Sequence, residues 1–251
     1  MTAVQAFLRS RGEYHRAILL HGRPGRVEAE LEDNVHHFTA TLTHDGGRVL
    51  RMEGGSVRTP YETCGAGSAQ MQALGGAPLT PDPRAVYGFA DVRHQCTHAF
   101  QLAGHAMAHA LRGEQVWLYE VAVREPSADR LTAMLRLNGR PALEWRLKGG
   151  LIEGPDGLAG VSTADAARRA MDADPGTGEA AVILHRAVRQ AFAQRRMTHL
   201  GATYAAELST RGNCYTFQPD RAPTSRSHDM TRNFEREGLW PLRDKALALQ
   251  A

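Results

Sequence analysis

The residues best suited to chemistry are histidines at helical spacing. His94, His98, His105 and His109 follow one another at steps of four, seven and four. At 100° per residue they fall within about 60° of each other on one helix face. A stripe of imidazoles can relay protons, hold an anionic substrate or bind a metal. A metal needs further ligands, yet the chain has no CxxC, no HExxH and no carboxylate between His94 and His109. His36, His37 or His44 would have to supply them. The site is therefore read as metal-free, with a metal-dependent hydrolase or hydratase kept as an alternative.

Other candidates lie around this stripe. Cys96 and His98 are two apart, so on a helix they point about 200° apart and cannot form a nucleophile pair. Cys64 follows Pro60-Tyr61-Glu62-Thr63 at a helix start, a position that lowers a thiol pKa. Tyr61 on the preceding loop can act as acid, base or phenol-binding group. His36 and His37 sit at a strand start, so their rings face opposite ways and at most one reaches a pocket. Arg51, Arg58, Arg136 and Arg146 interrupt strands; an inward arginine binds a carboxylate bidentately, an outward one is solvated. Gly65-Ala66-Gly67-Ser68 opens a helix and can accept an anion, although small residues suit any tight helix start. No P-loop, GxGxxG or GxSxG elbow is present, so an enzyme here works without an organic cofactor.

The elements that must position these groups alternate between strands and helices. Val27, Ala29 and Leu31 alternate with Glu28, Glu30 and Glu32, and Phe38, Ala40 and Leu42 with Thr39, Thr41 and Thr43, both at period two. His44-Asp45-Gly46-Gly47 turns the chain into a strand at Val49–Met52. A helix is expected over 64–74 and a long one over 91–111, ended near Gly113. Strands are expected over 117–123, 131–137 and 142–147, with Asn138-Gly139 as a hairpin turn, then helices over 163–171 and 178–196. Leu42 through Gly54-Gly55 echoes Leu135 through Gly149-Gly150, which suggests two related halves; hairpins in general look alike, so the echo leaves both readings open. Asn213–Phe217 reads as a short strand, and 209–251 as a polar C-terminal arm or lid. The fold class is α+β: antiparallel strands packed with two or more long helices in a single domain over 1–251.

With 251 residues, 42% of them apolar, the chain can bury a sizeable core. Thirty basic and 27 acidic residues give a net charge of only +3, and the arginines form no stripe. Neither nucleic acid nor membrane is expected as partner. No apolar run approaches the roughly 18 residues of a membrane span, and residues 1–11 lack the h-region of a signal peptide. Three cysteines, an odd number, suit reduced thiols in a cytoplasm. A homodimer is consistent with a polar tail that crosses to a partner.

Taken together, His36-His37-Phe38, the His44-Asp45-Gly46 turn, Pro60-Tyr61-x-Thr63-Cys64, Cys96-Thr97-His98, His109-Ala110 and Cys214-Tyr215-Thr216-Phe217-Gln218-Pro219 resemble a bacterial family catalogued as domain of unknown function 2889. Order and spacing match from about Tyr14 to Phe234. Three positions depart from the pattern: Tyr61 stands where Trp is expected, Gly65 where Pro is, and Gln101 where an acidic residue is. The resemblance implies bacteria that degrade aromatic compounds, and lyases that release a γ-hydroxymethyl group as formaldehyde from phenylcoumaran-type lignin dimers. The expected function is then a cofactor-independent carbon–carbon lyase acting on a phenolic aromatic substrate. His98, with His109 or His37, would be the base. Tyr61 or Arg51 would hold a phenolate or a carboxylate, and Phe38, Phe100, Tyr215 and Phe217 would line the slot. A non-catalytic binding protein for aromatic or acyl compounds is the alternative from another class.

Overall fold

A computed structural model of the chain describes residues 13–125, 129–200, 203–208, 212–228 and 230–251, with backbone alone for 195–200. The N-terminal segment read for export signals lies outside these residues. Eight strands form one antiparallel sheet: β1 (Tyr14–Arg23), β2 (Arg26–Asp33), β3 (His37–His44), β4 (Val49–Arg58), β5 (Val116–Arg124), β6 (Arg130–Leu137), β7 (Arg140–Lys148) and β8 (Leu151–Gly154). Their order is β4-β3-β2-β1-β5-β6-β7-β8. Two meanders therefore run outward from a central β1–β5 pair. The Asn138-Gly139 turn holds both residues at positive φ, 49° and 75°, the backbone a two-residue hairpin needs and one that Asn and Gly tolerate best. The α+β class stands, but the repeat heard in the sequence does not map onto equivalent strands. Leu42–Gly55 lies in β3–β4, the outer pair of its half, whereas Leu135–Gly150 spans β6–β7, the middle pair of the other.

Helices α1 (Cys64–Ala69) and α2 (Thr97–Ala110) follow the first meander; α3 (Thr163–Ala173) and α4 (Pro175–Leu200) follow the second. α2 packs on β1, β2 and β3 and α4 on β5, β6 and β7. The core lies between them, where Ile18, Leu31, Phe38, Tyr119, Leu135 and Trp145 of the sheet meet Phe100, Met107, Ile183 and Leu184. Each such side chain, fully withdrawn from water, contributes roughly 1.5–3 kcal/mol. α2 begins at Thr97, not Asp91. The Asp91 carboxylate accepts from the Arg93 amide and caps a 3-10 turn at Val92–His94, and extended Gln95 (φ −114°, ψ 154°) then breaks the helix. His94 is therefore exposed and off the stripe. The segment 64–74 is likewise α-helical only to Ala69 and 3-10 from Gln70 to Leu74.

The opposite sheet face carries the polar side of the alternation, including Glu28 and the buried Glu30, Glu32 and Glu120. The C-terminal arm covers part of it in its own chain. α5 (Ala205–Leu208) and a 3-10 turn at Tyr215–Phe217, where a strand was expected, lie on the helix side. The arm then passes α6 (Phe234–Glu237) to the far side, where α7 (Arg243–Gln250) sets Leu242 and Ala246 against Ala17, Leu19 and Leu118. Arg232 pairs with Glu32 (3.3 Å), Arg243 with Glu120 (2.6 Å), and Lys245 with Glu30. No helix among the described residues is long and apolar enough to cross a membrane.

Candidate functional site

The site grows from residues that the strand alternation turns toward the helices. Arg16 on β1 shares the inward parity of Ile18 and Leu20, and its register partner Asp33 ends β2 on the same side. Asp33 is fully buried and satisfied many times over. It accepts from Arg16 Nη2 (2.7 Å) and Nε (3.3 Å), Tyr14 OH (2.9 Å), the amides of Val35 (2.9 Å) and His36 (2.8 Å), and His36 Nδ1 (3.0 Å). Burial alone would raise its pKa, but the charges of His36 and Arg16 outweigh this and hold the carboxyl well below the usual range.

His98, in the first turn of α2, stands on this cluster. Its ring stacks on His36 (3.9 Å between centroids), with Phe38 behind at 6.3 Å. Its Nε2–H donates to the Gln190 side-chain oxygen on α4 (3.0 Å), which leaves the Nδ1 lone pair as the acceptor. Burial, then His36, then the Arg16 charge push the His98 pKa well below 6.5, so the ring is neutral near pH 7.

Above His98 opens a cavity of about 910 Å³. Among the described residues Arg16, Arg186 and Arg189 are its cations and Glu207 its anion; Tyr87, Phe192 and Phe217 supply aromatic surface, and His98, Gln101 and Gln190 hydrogen-bonding groups. Flat apolar walls with a few convergent polar groups suit a small aromatic ligand.

The residues expected from sequence divide into three sets. His98 and Phe217 line the cavity. Phe38, Phe100 and Tyr61 stand immediately behind it: Phe38 backs His98, Phe100 lies edge-on to Tyr87 (5.6 Å), and Tyr61 edge-on to Phe217 (5.9 Å). The Tyr61 hydroxyl is buried with no hydrogen-bond partner among the described residues. Burial raises its pKa, as do Cys64 and Glu207, so it stays protonated.

The third set lies elsewhere. His37 points to the opposite sheet face and pairs with Glu30 (2.5 Å), so it cannot share a substrate with His98. Arg51 is exposed on β4 and pairs with Glu53 (2.7 Å). His109 is fully buried about 16 Å further along α2, where its Nε2–H donates to the Gln115 carbonyl (2.9 Å) and ties down the loop before β5. Tyr215 packs against Gly67, where an added Cβ would come within 2.9 Å of the Tyr215 Cβ, and beneath Arg221 (4.0 Å). The Gly65–Ser68 run therefore serves close packing. His105 belongs to a buried cluster with Glu179 (2.5 Å), which also takes Arg112 (2.6 Å) and Tyr119 OH (2.9 Å) and so joins α2, α4 and β5. The stripe is thus real as a helix face but serves three separate places.

Among the described residues no group of three or more His, Cys, Asp or Glu side chains is placed to share a metal ion. The thiols are not activated: burial pushes Cys64 up to about 11, and raises Cys96 and Cys214 as well. Arg16, Asp33, Arg186, Arg189 and Gln190 escaped the sequence reading. Arg16 could have been found as an arginine in the apolar register of a strand, and Asp33 by the same parity two residues beyond Leu31. Arg186, Arg189 and Gln190 share a face of α4 at steps of three and one, a signal that any solvated helix also shows. Comparison of the chain with protein-family models, with curated proteins and with solved structures returned no match, so the site stands on its own geometry.

Proposed function

We propose that this chain is a cofactor-independent lyase that releases formaldehyde from a phenolic aromatic compound, such as a lignin-derived dimer, bound in the cavity above His98. The observation that carries this reading is a His98 imidazole held neutral, its Nδ1 without a hydrogen bond among the described residues, lining the same aromatic-walled cavity as the buried Arg16 guanidinium. The resemblance in sequence motifs points to the same chemistry. The reaction needs no oxidant. The para-phenol ionises and opens the dihydrofuran ring, giving a quinone methide and a second phenolate. His98 takes the proton of the CH2OH arm, the bond to that carbon breaks, and formaldehyde leaves. The freed electron pair becomes a stilbene double bond as the ring regains aromaticity, and the proton passes to a phenolate. In this scheme Arg16 takes the stabilising role first given to Arg51, and Tyr61 supports the wall through Phe217. The buried thiols suit a reducing, cytoplasmic setting.

The test is incubation of purified protein with a panel of phenolic dimers, assayed for formaldehyde and stilbene. Release in equal amounts, abolished in His98→Ala, supports the lyase; its absence across the panel removes it. A second reading, a binding protein without chemistry, is favoured by the dominance of holding groups in the lining: Arg16, Arg186, Arg189, Gln101 and Gln190 can each hold a ligand, against two proton acceptors, His98 and the rim carboxylate Glu207. Tight binding without turnover would establish it.

A further inference from the structure

Among the described residues, the charged groups lining the cavity are unbalanced. Three arginines face Glu207, and Glu207 lies at the rim, where it accepts from the Thr203 amide (2.8 Å). Arg16 has its own counter-ion in Asp33. Arg186 and Arg189 have none: among the described residues neither pairs with a carboxylate. Arg186 spends Nη2 on the neutral Tyr87 hydroxyl (2.9 Å) and rests over that ring (5.5 Å), which orients the guanidinium along the aromatic wall. Arg189 makes no hydrogen bond at all among them. On the same helix, burial first and then these same two charges hold His185 down to about 4.

Spacing sets where that field acts. Arg186 and Gln190 are four apart on α4, just over one turn or about 6 Å along the axis, and Gln190 holds His98. A flat ligand with its reacting end at His98 and Arg16 therefore extends its other end past Tyr87 toward the two arginines. Guanidinium pairs recognise planar oxyanions, and one facing an aromatic slot selects a carboxylate on the same flat molecule.

We propose that the ligand of this cavity is an aromatic carboxylic acid, its carboxylate held by Arg186 and Arg189 and its phenolic end at His98. This rests on reading the cavity as a small-molecule site, but not on the lyase reaction.

The probes are ferulate and its methyl ester, which differ in one negative charge, titrated calorimetrically into the full chain at low salt. The acid should bind at least roughly tenfold tighter than the ester, as a charge-assisted pair implies, and half-molar salt should erode the difference. Arg186→Gln/Arg189→Gln should bring the two ligands to similar affinity, chiefly by weakening the acid. Arg189→Gln alone, at an exposed residue without a partner among those described, should narrow the gap without any cost in folding. Equal affinities in the unmodified protein, no binding of either probe, or a double variant that still prefers the acid would each overturn the proposal. The formaldehyde assay separates its fate from that of the reaction. Turnover of dimers regardless of a carboxylate keeps the lyase and removes the acid preference; selective acid binding without formaldehyde does the reverse.

Discussion

The imidazole of His36 lies almost flat on that of His98, with centroids 3.9 Å apart and planes 25° from parallel. His36 is also the residue through which Asp33 reaches toward the cavity floor, by a 3.0 Å contact to Nδ1. The stack therefore couples the group facing the ligand to a buried carboxylate that never touches it. Because His36 opposes protonation of His98, His36→Phe keeps the stack, removes that opposition and should move the His98 pKa upward. Histidine titration by NMR reads the shift; an unchanged or lower value would contradict the coupling.

His98→Gln should lower formaldehyde release by about 10²–10³-fold, the usual worth of a positioned general base, while ferulate affinity changes less than about threefold. Loss of binding with unchanged turnover per bound ligand would instead make His98 a docking group.

Asp33→Ala leaves the Arg16 charge buried at 1% exposure without its partner. Breaking such a pair costs about 3–5 kcal/mol, which urea unfolding should register. Arg51→Ala, at an exposed pair, should cost under about 1 kcal/mol. Similar losses for the two would mean that Asp33 is not the hub described.

Burial, the largest influence on each, holds His15 and His185 at about 4 in the folded chain, against about 6.5 unfolded. Between those values the unfolded state binds the extra protons, so stability rises with pH there and falls as the solution is acidified from pH 6.5 toward 4. Unfolding near pH 5 should take up about two protons from these residues alone, measurable as the pH dependence of urea midpoints. A flat profile across that window would refute the buried, neutral state of both.

The arm is held to the far sheet face partly by Arg232, Arg243 and Lys245 on Glu32, Glu120 and Glu30. Arg243→Ala/Lys245→Ala should speed limited proteolysis after α6 several-fold, and half-molar salt should do the same to the unmodified chain. No change in either would assign the docking to Leu242 and Ala246 alone.

Local pattern carried the architecture. Period-two alternation in 27–31 and 38–42 and the Asn138-Gly139 turn suffice for antiparallel hairpins, because side-chain parity and turn backbone are set by neighbours in the chain. The same parity showed that His36 and His37 must part. Which of them turned toward the helices depended on the face that α2 and α4 cover, a decision made by contacts between residues far apart in sequence. Helical spacing likewise put His98, His105 and His109 on one face, yet three turns of rise carry that face past three different neighbours. Arg16, Asp33, Arg186 and Gln190 come from β1, β2 and α4, and only the packing of both helices on one side of the sheet gathers them around one cavity and its floor.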